Sequence, residues 1–126
     1  MNQTVLNWLD HTAALCPDKV AFTDSDRTLT FGEFDRISKS IGTCLAQEIS
    51  PNMPVVVMSG RHVLTPAVFL GVVRAGCFYA PMDATMPVAR LNQILSVIQA
   101  KLMLVDKEFL EIAQKLDFFG RMVVID

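Results

Sequence analysis

The chain has 126 residues, 52% of them apolar and 19% charged, with a formal net charge of −2. That is enough chain for one domain with a real core, and it is too apolar for the disordered class. No Lys/Arg run or stripe is present, which argues against nucleic-acid binding, where neutralised phosphates supply most of the affinity.

The longest apolar stretch, Val63 to Ala75, is interrupted by Thr65, Pro66 and Arg74 and is too short to span a bilayer. Met1-Asn2-Gln3 lacks the basic start of a signal peptide, so a cytoplasmic location is expected. Cys16, Cys44 and Cys77 are odd in number and without CxxC spacing, so they read as reduced, mostly buried thiols.

In chain order, Val5, Trp8, Leu9, Thr12 and Leu15 recur at helical spacing, with Thr4 or Asn2 available as a cap and Pro17 as a stop. Lys19 to Thr23 and Arg27 to Thr30 read as a hairpin around Asp24-Ser25-Asp26. Thr30 and Glu33 have the spacing of a capping box, and Leu29 and Phe34 that of a hydrophobic staple. The helix they start runs to about Glu48, with Phe34, Ile37, Ile41 and Leu45 along one face. Pro51 and Pro54 mark a turn.

A regular rhythm follows. Val55 to Met58 is a β-branched run expected of a strand covered on both faces. Val63 to Ala75 is a helix with Pro66 in its first turn and Gly76 as a left-handed stop. Cys77 to Ala80 is a strand closed by Pro81 and expected to be buried. Pro87 opens a helix carrying Val88, Leu91, Ile94, Leu95 and Ile98 on one face. Leu102 to Val105 is a strand, Lys107 to Leu116 a short helix with a Glu111–Lys115 pair, and Met122 to Ile125 a last strand before Asp126. Alternating strands and helices form parallel sheets with right-handed crossovers. The fold class is therefore α/β, a mostly parallel sheet flanked by helices, with a small β-hairpin near the N-terminus.

The loops after the strands carry little chemistry. Ser59-Gly60-Arg61-His62, Pro81 to Thr85 and Asp106-Lys107 contain neither GxGxxG nor GxxxxGK[ST]. Asp106 and Asp126 follow strands but show no acidic partners for a phosphoacceptor site. His11 and His62 lack metal-ligand spacing. Neither histidine is placed by a motif beside a thiol that it could activate. Asp83 is positioned to pair with Arg90 as a structural bridge. Arg61 and His62, at the carboxyl end of a strand, are the remaining candidate ligand contacts. No catalytic residue and no metal ligand is assigned.

Three segments carry a resemblance. Leu29-Thr30-Phe31-Gly32-Glu33-Phe34 is similar to the first core motif of amino-acid adenylation domains, L-T-Y-x-E-L. Val73-Arg74-Ala75-Gly76-Cys77-Phe78-Tyr79-Ala80-Pro81-Met82-Asp83 is similar to the second, L-K-A-G-x-A-Y-V-P-I-D. Pro87 to Leu95 resembles the family's P-x-x-R-L-x-x-I-L stretch. Met82 and Ala84 depart from the usual Ile/Leu and Pro.

The resemblance implies the N-terminal part of an adenylate-forming enzyme. That superfamily spans nonribosomal peptide adenylation domains, D-alanine–carrier-protein ligases and acyl-CoA synthetases. Its members use ATP and Mg²⁺ to join a carboxylate to AMP, then pass the acyl group to a carrier-protein phosphopantetheine or to CoA. The Pro-Met-Asp stretch leans towards the amino-acid-activating branch. The family's phosphate loop and C-terminal lysine lie beyond the matched region. Residues 1–126 are thus expected to be one α/β domain truncated from a longer adenylation domain, not catalytic alone and not a tight binder of the nucleotide. A free-standing interaction or scaffold module is the alternative. The partner implied is the remainder of the adenylation domain, without which the chain is expected to self-associate.

Overall fold

The computed structural model describes residues 4–125. The chain divides into two compact units. The first runs to Glu48 and resumes over Arg61–Gly76; the second comprises Ile49–Gly60 and the chain from Cys77 onward.

The first unit contains α1 (Val5–Leu15), a hairpin of β1 (Val20–Thr23) and β2 (Thr28–Thr30), α2 (Phe31–Glu48) and α3 (Leu64–Arg74). Thr4 caps α1, its hydroxyl accepting from the Asn7 N–H while the Asn7 side chain accepts from the Thr4 N–H. The alternative cap, Asn2, lies outside the described residues. The helical spacing of α1 is confirmed, but it does not settle which side is buried. Leu9 and Ala13 are buried, but Val5, Trp8 and Leu15 are 53%, 64% and 68% exposed. The helix is apolar on two stripes, and only the one through Leu9 joins the core with Phe34 and Ala67.

The hairpin is antiparallel, with Phe22 opposite Leu29 and Thr23 opposite Thr28. Its turn is an Asx turn, in which Asp24 Oδ1 accepts from the N–H groups of Asp26 and Arg27 at 2.8 and 2.7 Å. The capping box of α2 forms as expected. Glu33 N–H donates to Thr30 Oγ1 at 3.2 Å, and Thr30 N–H donates to Glu33 Oε1 at 3.0 Å. Leu29 and Phe34 are both buried. Thr30→Ala removes the cap and is expected to cost about 1 kcal/mol, read as a lower midpoint in urea unfolding with an unchanged slope.

Two glycines set how closely α2 and α3 approach. A Cβ on Gly42 would lie 2.8 Å from Arg74 Cβ and 3.2 Å from the Gly71 carbonyl, and one on Gly71 would run into the Ile41 side chain. Gly76 ends the unit at φ 80°, the left-handed stop expected after α3.

The second unit contains β3 (Pro54–Met58), β4 (Phe78–Pro81), α4 (Val88–Ile98), β5 (Leu102–Asp106), a 3₁₀ turn (Lys107–Phe109), α5 (Leu110–Gln114) and β6 (Arg121–Ile125). The four strands form a wholly parallel sheet in the order β4-β3-β5-β6. Val56, Met58, Met103 and Val105 meet Leu91, Leu95, Ala113 and Leu116 in one core. The central strand β5 is buried at every position.

Four expectations are corrected by the structure. β4 is an edge strand, with Phe78 and Tyr79 54% and 39% exposed, where a buried strand was expected. Pro81 lies inside β4 rather than closing it. The N–H groups of Phe78 and Met82 point to β3, so the alternate position 81 points outward and needs no donor. The helix expected over Lys107 to Leu116 splits into a 3₁₀ turn and the five-residue α5, which stops before Lys115. The cysteines are all unbridged, but only Cys77 is buried, its thiol donating to the Ser50 carbonyl; Cys16 and Cys44 are exposed. Cys16 caps the end of α1, and Cys44 lies off the buried stripe of α2.

Candidate functional site

Ligands in parallel α/β sheets approach the carboxyl ends of the strands. In the second unit the loop after β3 and the end of β5 meet there. Asp106, 5% exposed, accepts from Ser59 Oγ at 3.1 Å on both carboxylate oxygens and from Gly60 N–H at 2.6 Å. A Cβ at residue 60 would lie 2.9 Å from Glu108 Oε1, the movable end of a long side chain, and 3.5 Å from Asp106 Oδ2, an ordinary contact. The sequence offers Asp106 no visible partner; the fold supplies two, and the carboxylate serves as a clamp on the loop.

The other sequence candidates are dispersed. Asp83 Oδ1 accepts from the Thr85 N–H and hydroxyl at 2.9 and 2.7 Å, whereas Arg90 Nη1 donates to Gln93 Oε1, so the expected Asp83–Arg90 bridge is not made. Arg61 is exposed in the first unit. His62 is half-buried there, its Nδ1 accepting from the Leu64 N–H at 3.2 Å, a local contact that starts α3. Next to it, Val63 N–H donates to Asp24 Oδ2 at 2.9 Å and ties α3 to the hairpin turn. His11 is exposed on α1, and Asp126 lies outside the described residues.

The strongest polar cluster went unseen in the sequence. Arg74, at the end of α3, donates through Nε to Ser38 Oγ and through Nη2 to both Asp10 and Asp35, each at 2.9 Å. Lys39 bonds Asp35 at 2.9 Å one turn along α2. One guanidinium thereby ties α1, α2 and α3 together.

The carboxyls of Asp10, Asp24 and Glu33 titrate below their ordinary range. The hydrogen bond from Arg74 lowers Asp10, the Val63 N–H lowers Asp24, and the Thr30 N–H lowers Glu33. Each is a stronger acid in the folded chain than in the unfolded one. Their stabilisation is thus complete above the unfolded values near about 4 and is lost as pH falls through the lower folded values. Thermal midpoints followed by circular dichroism should stay level near neutrality and fall progressively below about pH 4.

The residues present do not fit a nucleotide triphosphate with Mg²⁺. At the carboxyl end of β3 the one glycine N–H already donates to Asp106, and that carboxylate and Glu108 would repel a phosphate. Among the described residues no group of three or more His, Cys, Asp or Glu could hold a metal ion. No helix among them is long and apolar enough to cross a membrane.

Comparison with known proteins gives the context. The AMP-binding enzyme family model matches residues 9–126. Cyclosporin synthetase simA of Tolypocladium inflatum is 36% identical over 104 residues, 81% of this chain and 1% of that protein. The nonribosomal peptide synthetase TES of Alternaria alternata is 32% identical over 93 residues, 73% of this chain and 2% of that protein.

Among solved structures, the nonribosomal peptide synthetase FmoA3 superposes with a TM-score of 0.83 at 25% identity, covering 98% of this chain and 13% of that one. The anthranilate CoA ligase AuaEII, solved with anthranoyl-AMP, shares the fold with a TM-score of 0.88 at 20% identity, covering 98% of this chain and 25% of that one. The chain thus spans a small part of the length of the relatives it matches. Both core-motif segments lie inside the matched region, one starting α2 and the other ending α3 and forming β4. The chain belongs to the AMP-binding, adenylate-forming enzyme family.

Proposed function

We propose that residues 1–126 are the N-terminal segment of an adenylation domain within an ATP-dependent ligase. That ligase activates an amino acid or another carboxylate as its acyl-adenylate and transfers it to a thiol on a carrier protein or CoA. ATP and Mg²⁺ serve the whole enzyme, which works in the cytoplasm. The observation that carries this reading is the family match over residues 9–126 combined with the mechanical role of its motifs. Thr30 and Glu33 cap a helix and Gly76 stops one, while the polar groups of the strand-end loops hold the loops themselves. The segment therefore supplies scaffold, and the reacting groups belong to later sequence.

The test is carboxylate-dependent exchange of pyrophosphate into ATP, measured across a panel of amino acids and aryl acids. The protein assayed carries this segment together with the sequence that follows it in the gene. Exchange with one carboxylate supports the reading. A folded protein that exchanges with none, or a reading frame without a Ser/Thr/Gly-rich phosphate loop after Asp126, contradicts it.

A further inference from the structure

We infer that α1 is a salt-sensitive strap, which lifts off α2 and α3 as one piece while the rest of the first unit stays folded. α1 and α3 are both eleven residues long. α3 buries Ala67, Val68, Gly71 and Val72, whereas α1 buries Leu9 and Ala13. Elements with few buried apolar contacts open at the low end of a protein's local stabilities. α1 has no acidic residue in its first turn and no basic residue in its last, so its macrodipole is not offset. A helix of this length does not persist alone in water, so release and melting coincide.

Immediately after α1 the main chain is fixed. Gly32 N–H donates to the Pro17 carbonyl at 2.9 Å, and Phe31 N–H donates to the Lys19 carbonyl at 2.8 Å. Val63 N–H holds the hairpin turn through Asp24 at 2.9 Å. The hinge therefore falls at Cys16, where α1 ends.

The clasp is Asp10. Its carboxylate meets Arg74 Nη2 at 2.9 Å and Lys39 Nζ at 3.9 Å, with Asp35 beside them. The side chain is 46% exposed, which leaves the clasp open to screening by salt. Losing Asp10 strands neither cation, because Arg74 keeps Ser38 and Asp35, and Lys39 keeps Asp35. Release thus leaves the tie between α2 and α3 intact. It uncovers the apolar seat that Leu9 shares with Phe34 and Ala67.

Native-state hydrogen exchange on the full chain at neutral pH tests this. The amides of Leu9 to Leu15 are expected to exchange at least about tenfold faster than those at the buried positions of α2 and α3. Raising NaCl to about 1 M, where the screening length is about 3 Å, should speed α1 by about two- to fivefold and leave α2 and α3 unchanged. Asp10→Ala should do the same at low salt and abolish the further effect of salt. Alanine is the better helix former, so a purely local effect of that substitution would slow exchange instead. An α1 protected as strongly as α2 and α3 overturns the inference. So does salt that speeds all three helices alike or none, or an Asp10→Ala chain whose α1 exchanges no faster. If Asp10→Ala fails to fold, the salt series on the unmodified chain decides.

Discussion

Gly71→Ala is expected to lower the stability of the chain by about 1–3 kcal/mol, the range for overpacking a close contact. Alanine is the better helix former by about 1 kcal/mol, so an exposed helical glycine would respond in the opposite direction. At position 71 the new methyl runs into the Ile41 side chain, lies 2.6 Å from Ile41 Cβ and 3.3 Å from the Ser38 carbonyl. Ile41 is β-branched and helical, with little rotamer freedom to yield. The two helices must therefore separate and loosen the buried contacts of Phe34 and Ala67. The measurement is denaturant unfolding of Gly71→Ala beside Gly42→Ala, where the nearest atom is Arg74 Cβ at 2.8 Å. Both should shift the midpoint downward.

Arg74→Met is expected to cost on the order of 3 kcal/mol, because it strands partners that were paired. Ser38 is fully buried and Asp35 is 16% exposed at its side chain, so neither recovers full hydration when the guanidinium goes. Asp10 is 46% exposed at its side chain and contributes little to the loss. Arg74→Lys retains the charge but cannot reach three acceptors with one fork, so it should recover only part of the stability. The double variant Arg74→Met with Asp35→Leu should be more stable than Arg74→Met alone, since the largely buried Asp35 carboxylate is then no longer left with only the exposed Lys39. Equal unfolding midpoints for Arg74→Met and the unmodified chain would show that the cluster is solvated rather than cohesive.

What was legible in the sequence was local. The capping box of Thr30 and Glu33 spans three residues, and the stop at Gly76 depends on one backbone angle. The β-branched run Val55 to Met58 announces a strand covered on both faces, and all four residues are buried in β3. Features that depend on distant chain were not legible. Arg74 reaches Asp10 across 64 positions, and Ser59 reaches Asp106 across 47. Periodicity places Val5, Trp8 and Leu15 on a helix, but it does not say which of two apolar stripes meets α2. The exposure of Phe78 and Tyr79 follows from strand order, because β4 lies at an edge. The same long-range pairing turns the loop after β3 from a candidate ligand contact into a clamped turn.

Under the proposed function, this segment builds scaffold for an adenylate-forming enzyme while the reacting groups lie in later sequence. Calorimetric titration of the purified 126-residue chain with ATP and Mg²⁺, with and without a panel of carboxylates, tests it most directly. The account predicts no saturable heat under either condition. Saturable binding of ATP, or pyrophosphate exchange by the same sample, would contradict it.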